Sequence, residues 1–132
     1  MTGIRKCIVA LAALVLAGCG PKDVQSVDVK AASERLARGE LLLDIREADD
    51  YNEFRIPNSM HIPYGRLASR MAELEPYKAK PVMVIDHAGL RAPRALEQLQ
   101  KAGYAQVFVV KGGIAEWQAA GLPVEKPGRP PQ

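Results

Sequence analysis

Apolar and polar positions follow two rhythms along this chain. Unbroken apolar runs occur at Leu41-Leu42-Leu43, at Val82-Met83-Val84-Ile85 after Pro81, and at Val107 to Val110. Between them, apolar residues recur every three or four positions. Short runs bounded by turn residues predict buried strands, and the three-to-four spacing predicts helices packed on them. Their alternation predicts βα units and a mainly parallel sheet.

Val29, Ala32 and Leu36, with Asp28 as N-cap and Gly39 as stop, predict a first helix. A short helical segment follows from Ala48 to Phe54, and Pro57 and Pro63 bracket a strand from Ser59 to Ile62. Leu67, Met71 and Leu74 mark a helical face with Pro76 just beyond it. Pro81 to Ile85 is predicted as the most central strand, because a continuous apolar run is buried on both faces. Ala92, Ala95, Leu96, Leu99 and Ala102 make the clearest helix, closed by Gly103. Gly112-Gly113 predicts a sharp turn, and Ile114 and Trp117 the inner face of a last helix ending at Gly121. The reading has four helices and five short strands, with four of the strands placed by pattern, and no internal repeat.

The first twenty residues stand apart from this rhythm. Arg5 and Lys6 precede an apolar stretch from Ile8 to Ala17 and then small residues, the layout of a secretory signal peptide. About ten apolar residues are too few for a permanent span, which needs roughly 20. Leu16-Ala17-Gly18-Cys19 resembles the lipobox of bacterial lipoproteins, and the resemblance implies removal of residues 1–18 and lipidation of Cys19. Gly20 stands where such lipoproteins carry the Asp that retains them in the inner membrane, so a periplasm-facing lipoprotein of the outer membrane is expected. The expected organisation is a signal peptide over 1–18, lipidated Cys19 and a polar tether over 19–26, the domain over 27–124, and a disordered tail over 125–132.

Composition then narrows the function. The 132 residues leave room for one domain, and 48% hydrophobic with 25% charged residues is ordinary for a globular chain. Of the 18 Lys and Arg, two leave with the signal peptide, so 16 basic face 15 acidic side chains in the processed chain. No basic run remains to bind nucleic acid. Cys7 leaves with the signal and Cys19 is acylated, so the domain is expected to hold neither a free thiol nor a disulfide.

The order of motifs resembles the rhodanese-like family from about Ser26 to Val124, and the resemblance implies a single α/β domain with a central, mainly parallel five-stranded sheet flanked by helices. Leu42-Leu43-Asp44-Ile45-Arg46-Glu47 is similar to its apolar strand ending in Asp-x-Arg-Glu. Tyr51, Phe54, Ile56-Pro57-Asn58-Ser59 and Ile62-Pro63 are similar to its next segment, with Phe54-Arg55 where Gly-His is usual. Gly112-Gly113-Ile114, Trp117 and Gly121-Leu122-Pro123-Val124 match its C-terminal signature. In that family a loop between the central strand and the next helix carries a nucleophilic Cys, with Gly three and Arg five positions later. Here the loop is Asp86-His87-Ala88-Gly89-Leu90-Arg91, and the resemblance places Asp86 at the Cys position.

Such a loop aims backbone N–H groups and a helix dipole at one spot, where a thiolate is stabilised. A thiolate takes the outer sulfur of a donor such as thiosulfate and holds it as a persulfide. A carboxylate cannot, so standard sulfur transfer is expected to be absent. Three readings of Asp86 stay open: a built-in anion bonded to the loop amides and paired with Arg91; an outward side chain leaving Arg91, Arg94 and the amides to hold a small anion or a partner's acidic side chain; or a nucleophile in phosphoryl or acyl transfer.

Other residues are read structurally. His87 is an exposed loop residue rather than a metal ligand, His61 a hydrogen-bonded strand residue, Asp49-Asp50 a solvated helix face, and Trp117 core. Asp44 and Arg46 are expected to support the pocket by polar pairing. No cofactor and no metal are expected. The sequence thus points to a lipid-anchored binding or scaffolding module of the cell envelope, a pseudoenzyme whose partners are the membrane and an envelope protein or small anion. The alternative is an enzyme, either a sulfurtransferase using a partner's thiol or an activity built on Asp86 and Arg91.

Overall fold

In the computed structural model, residues 24–128 are described, and the expected signal peptide, Cys19, most of the expected tether and the last four residues lie outside them. The strands are β1 (Ser26–Val27), β2 (Leu41–Asp44), β3 (Met60–His61), β4 (Val82–Ile85) and β5 (Val107–Val110). The helices are α1 (Val29–Ala37), α2 (Ala48–Glu53), α3 (Ala92–Lys101) and α4 (Gly113–Ala119). The sheet order is β1-β5-β4-β2-β3, and every pairing is parallel.

Register explains why β2 and β4 are apolar throughout. Leu41, Leu42, Leu43 and Asp44 lie opposite Val82, Met83, Val84 and Ile85. Alternate side chains therefore feed two cores. Leu41, Leu43, Val82, Val84, Val107 and Val109 pack under Ala92, Ala95, Leu96 and Leu99 of α3. Leu42, Met83, Ile85 and Val110 pack on the other face against Val29 and Ala32 of α1 and Ile114 and Trp117 of α4. Burial on both faces requires just the continuous apolar runs seen in the sequence.

Local signals account for most boundaries. The Asp28 carboxylate accepts a bond from the Ala31 amide at 2.8 Å and caps α1. Gly39 and Gly103 follow α1 and α3 with φ of +91° and +97°.

Four expectations need correction. The fifth strand, β1, has two residues beside β5, too few for any periodicity, and it takes Ser26 from the expected tether. The Gln25 carbonyl already accepts the Val109 amide at 2.8 Å. The strand expected from Ser59 to Ile62 is confined to Met60–His61. Of the expected helical face, Met71 and Leu74 lie on a 3₁₀ segment, Met71–Tyr77, with Pro76 inside it, and Leu67 follows a separate 3₁₀ turn, Tyr64–Arg66. Pro76 has no N–H for the carbonyl four residues back and crowds it, so three-residue turns replace α-helix. At the C-terminus, Glu125 exchanges two backbone bonds with Arg55, at 2.8 and 2.7 Å, so ordered pairing runs one residue past Val124.

Candidate active-site loop

All five strands point the same way, so the loops after β2 and β4 meet at one end of the sheet, where open α/β sheets form a crevice. A cleft of about 240 Å³ lies there. Ile45, Arg46, Glu47 and Asp50 line it from the β2 side, and Asp86, His87, Ala88, Leu90 and Arg91 from the β4 side.

The β4 loop winds around its first residue. Gly89 takes φ +85°, which turns the chain back. The Arg91 and Ala92 amides donate to Asp86 Oδ2 at 2.7 and 2.8 Å, and the Gly89 amide donates to Oδ1. Asp86 is 4% exposed. Arg91, at the N-cap position of α3, makes no side-chain cap bond. The Asp86 carboxylate, from the end of β4, takes over that task for the first amides of the helix.

The Gly112-Gly113 turn supports the loop from below. Gly113 has φ +61°, and a Cβ there would lie 2.6 Å from the carbonyl oxygens of both Asp86 and His87. Those carbonyls accept the Ile114 and Ala115 amides at 2.9 and 3.1 Å. The free amides at the start of α4 thus hold the backbone of the loop in place.

On the β2 side, Arg46 and Asp44 form a buried pair. Arg46 Nε lies 3.1 and 3.0 Å from the two carboxylate oxygens, and Nη2 lies 2.9 Å from Oδ2. The same guanidinium donates to the Asp50 and Phe54 carbonyls at 3.3 and 2.8 Å, fastening α2 to the end of β2. His61 Nε2 donates to the Arg46 carbonyl at 2.8 Å, and its ring stacks on Tyr51 with centroids 4.1 Å apart.

The expected residues therefore converge, with one change. The Arg91 side chain does not pair with Asp86 but reaches Glu47 at 3.2 Å, both about 60% exposed. Its backbone, not its charge, serves Asp86. The reading in which Asp86 faces away fails too, since both its oxygens are bonded to the loop. Arg94 is exposed and does not line the cleft, and His87 and Asp49-Asp50 are exposed as expected. Trp117 is core, with its Nε1 donating to the Pro123 carbonyl at 3.0 Å. Among the described residues, no three His, Cys, Asp or Glu side chains converge as a metal site. The sequence shows Glu47 only as the end of the Asp-x-Arg-Glu signature and gives no local signal of its pairing with Arg91, 44 positions away. Sequence reasoning missed the role of Gly113, although the double glycine marked an unusual backbone.

Residues 28–120 match the rhodanese-like domain family. The chain belongs to that family. It is 39% identical over 85 residues to the uncharacterized protein YibN of Escherichia coli, covering 64% of this chain and 59% of that protein. It is 33% identical over 106 residues to a sulfurtransferase of Allochromatium vinosum, covering 79% of this chain and 97% of the relative. The crystal structure of a rhodanese-related protein from Thermoplasma volcanium superposes with a TM-score of 0.71 at 30% identity, over 78% of this chain and 99% of that one.

Proposed function

We propose that this rhodanese-like domain is a lipid-anchored, non-catalytic binding or scaffolding module of the cell envelope, with Asp86 at the position of the family's nucleophilic Cys. The observation that carries the reading is the carboxylate of Asp86 seated on the amides of Gly89, Arg91 and Ala92. An anion built into the loop competes with any external anion for those donors.

The chemistry agrees. Sulfur transfer from thiosulfate needs a thiolate that bonds the outer sulfur as the S–S bond breaks and sulfite leaves, and cyanide then removes that sulfur as thiocyanate. Residues 20–132 contain no cysteine, and a carboxylate offers no sulfur to hold the persulfide. An activity built on Asp86 and Arg91 together loses support, because the guanidinium is turned to Glu47. Envelope attachment rests on the Leu16-Ala17-Gly18-Cys19 motif and its basic and apolar leader. Anchoring by several acyl chains is stable where one chain is not.

The deciding experiment is thiosulfate-to-cyanide sulfur transfer by the chain from Gly20 onward, beside its Asp86→Cys variant. The wild type should be silent and the variant should gain turnover. Turnover by the wild type would sink the reading, since some other group would then carry sulfur.

A further inference from the structure

The two ends of the sheet differ in charge. The cleft end, where strands finish, exposes Asp28, Glu47, Asp49, Asp50 and Glu116 against Lys30, Arg66, Arg91, Arg94 and Lys111, and is balanced. The other end, where strands start and α1 and α3 finish, bears Arg35, Arg38, Lys78, Lys80 and Lys101 against Glu34, Glu40 and Glu75, an excess of basic side chains. Glu40 is held by Arg35 at 2.5 Å. Lys80 and Lys101 are exposed and have no ion-pair partner among the described residues. Contacts tie this end together, for Lys78 Cε lies 3.0 Å from where a Cβ on Gly103 would stand and Gln106 Nε2 donates to the Ala79 carbonyl at 3.3 Å. Arg38 and Lys101 also offset the dipoles of α1 and α3, but Lys80 precedes β4 and ends no α-helix.

The chain enters the domain at the same end. Ser26 of β1 lies opposite Val109, and β4 and β5 begin two residues earlier in register, so the level of the strand starts is reached near Val24. From Cys19 to Val24 the backbone spans at most ~18 Å. A domain of about 100 residues is roughly 35 Å across. A lipid at Cys19 is therefore attached within about 18 Å of the basic end.

We propose that the basic end of the domain docks on an anionic lipid surface and holds the cleft facing away from it. The inference rests on the anchoring reading for the position of the lipid. The charge complementarity and the point of chain entry both select the same end.

The test couples Cys19 of the chain from residue 19 onward, which contains the whole described domain, to a maleimide lipid in vesicles. Vesicles of phosphatidylcholine with phosphatidylglycerol are compared with phosphatidylcholine alone, and lysine acylation is read by mass spectrometry. Lys78, Lys80 and Lys101 should be modified at least about fivefold more slowly on the anionic vesicles. Lys30 and Lys111 should be unchanged, and high salt should remove the difference. The surface variant Lys80→Glu/Lys101→Glu should lose the protection of Lys78. Equal rates on both vesicles, or protection of Lys30 and Lys111 instead, would overturn the proposal. In cells, full-length Cys19→Ala tests anchoring separately: a variant that stays in the membrane fraction defeats that reading and leaves the vesicle result to decide the docking face.

Discussion

Asp86 and Arg91 are five positions apart in one loop, yet the backbone gives them different duties. The carboxylate is buried and satisfies three amides, while the guanidinium is mostly in water beside Glu47. Asp86→Ala should therefore cost about 2–3 kcal/mol in urea unfolding, from lost charge-assisted bonds and a lost cap. Arg91→Ala should cost under about 0.5 kcal/mol, because an exposed pair is screened by solvent. Equal losses in the two variants would mean that the Arg91 charge supports the loop after all. Tyr104 offers a pH test. Its hydroxyl is buried with no partner, and burial, helped by the charge of Glu75, raises its pKa. A folded pKa above the unfolded value leaves stability whole below about pH 10 and removes it as pH rises through the folded value. Tyr104→Phe should flatten that alkaline loss and be neutral or stabilising near pH 7, as urea midpoints across the range would show. The candidate residues of the loop were legible in sequence because they are contiguous. The direction of Arg91 was not, since its partner lies on another strand's loop.

At the scale of elements, the loop after β4 is shaped as much by α4 as by its own residues. Gly113→Ala would drive a Cβ into two backbone carbonyls that cannot yield like a side chain, in a backbone at φ +61°. The expected cost is about 3 kcal/mol or more, with lost hydrogen-exchange protection at the Ile114 and Ala115 amides. Gly39→Ala is the control: φ is +91° but nothing lies within 4 Å, so only the backbone strain of about 1 kcal/mol remains. If both variants lose the same stability, the glycine is a turn residue and not a support. Elements with long periodicity, such as α3, or with unbroken apolar runs, such as β4, could be read directly. The two-residue β1 and the turns over Tyr64–Arg66 and Met71–Tyr77 could not. The first takes its form from β5 beside it, and the turns over Met71–Tyr77 take theirs from Pro76.

Across the whole molecule, the chain closes on itself where Glu125 pairs with Arg55 through backbone bonds and a 3.1 Å ion pair. Ending the chain at Val124 should lower stability by about 1 kcal/mol, which for a domain near 100 residues is roughly 4–8 °C in melting temperature. Ending it at Gly128 should change little. If the two truncations melt together, the bridge contributes nothing measurable.

The order of apolar runs and helical faces was enough to determine an α/β domain, its central strand and the loop that bears Asp86, because burial on a sheet imposes local periods that any reader of the chain can count. Motif order was enough to suggest the family. Tertiary structure alone decided that Asp86 is satisfied by amides, that Arg91 turns to Glu47, that Gly113 carries the loop and that basic side chains gather at the end of the sheet where the strands start. Each of these depends on residues brought together from distant positions by parallel strand pairing, and no local pattern encodes a contact of that kind.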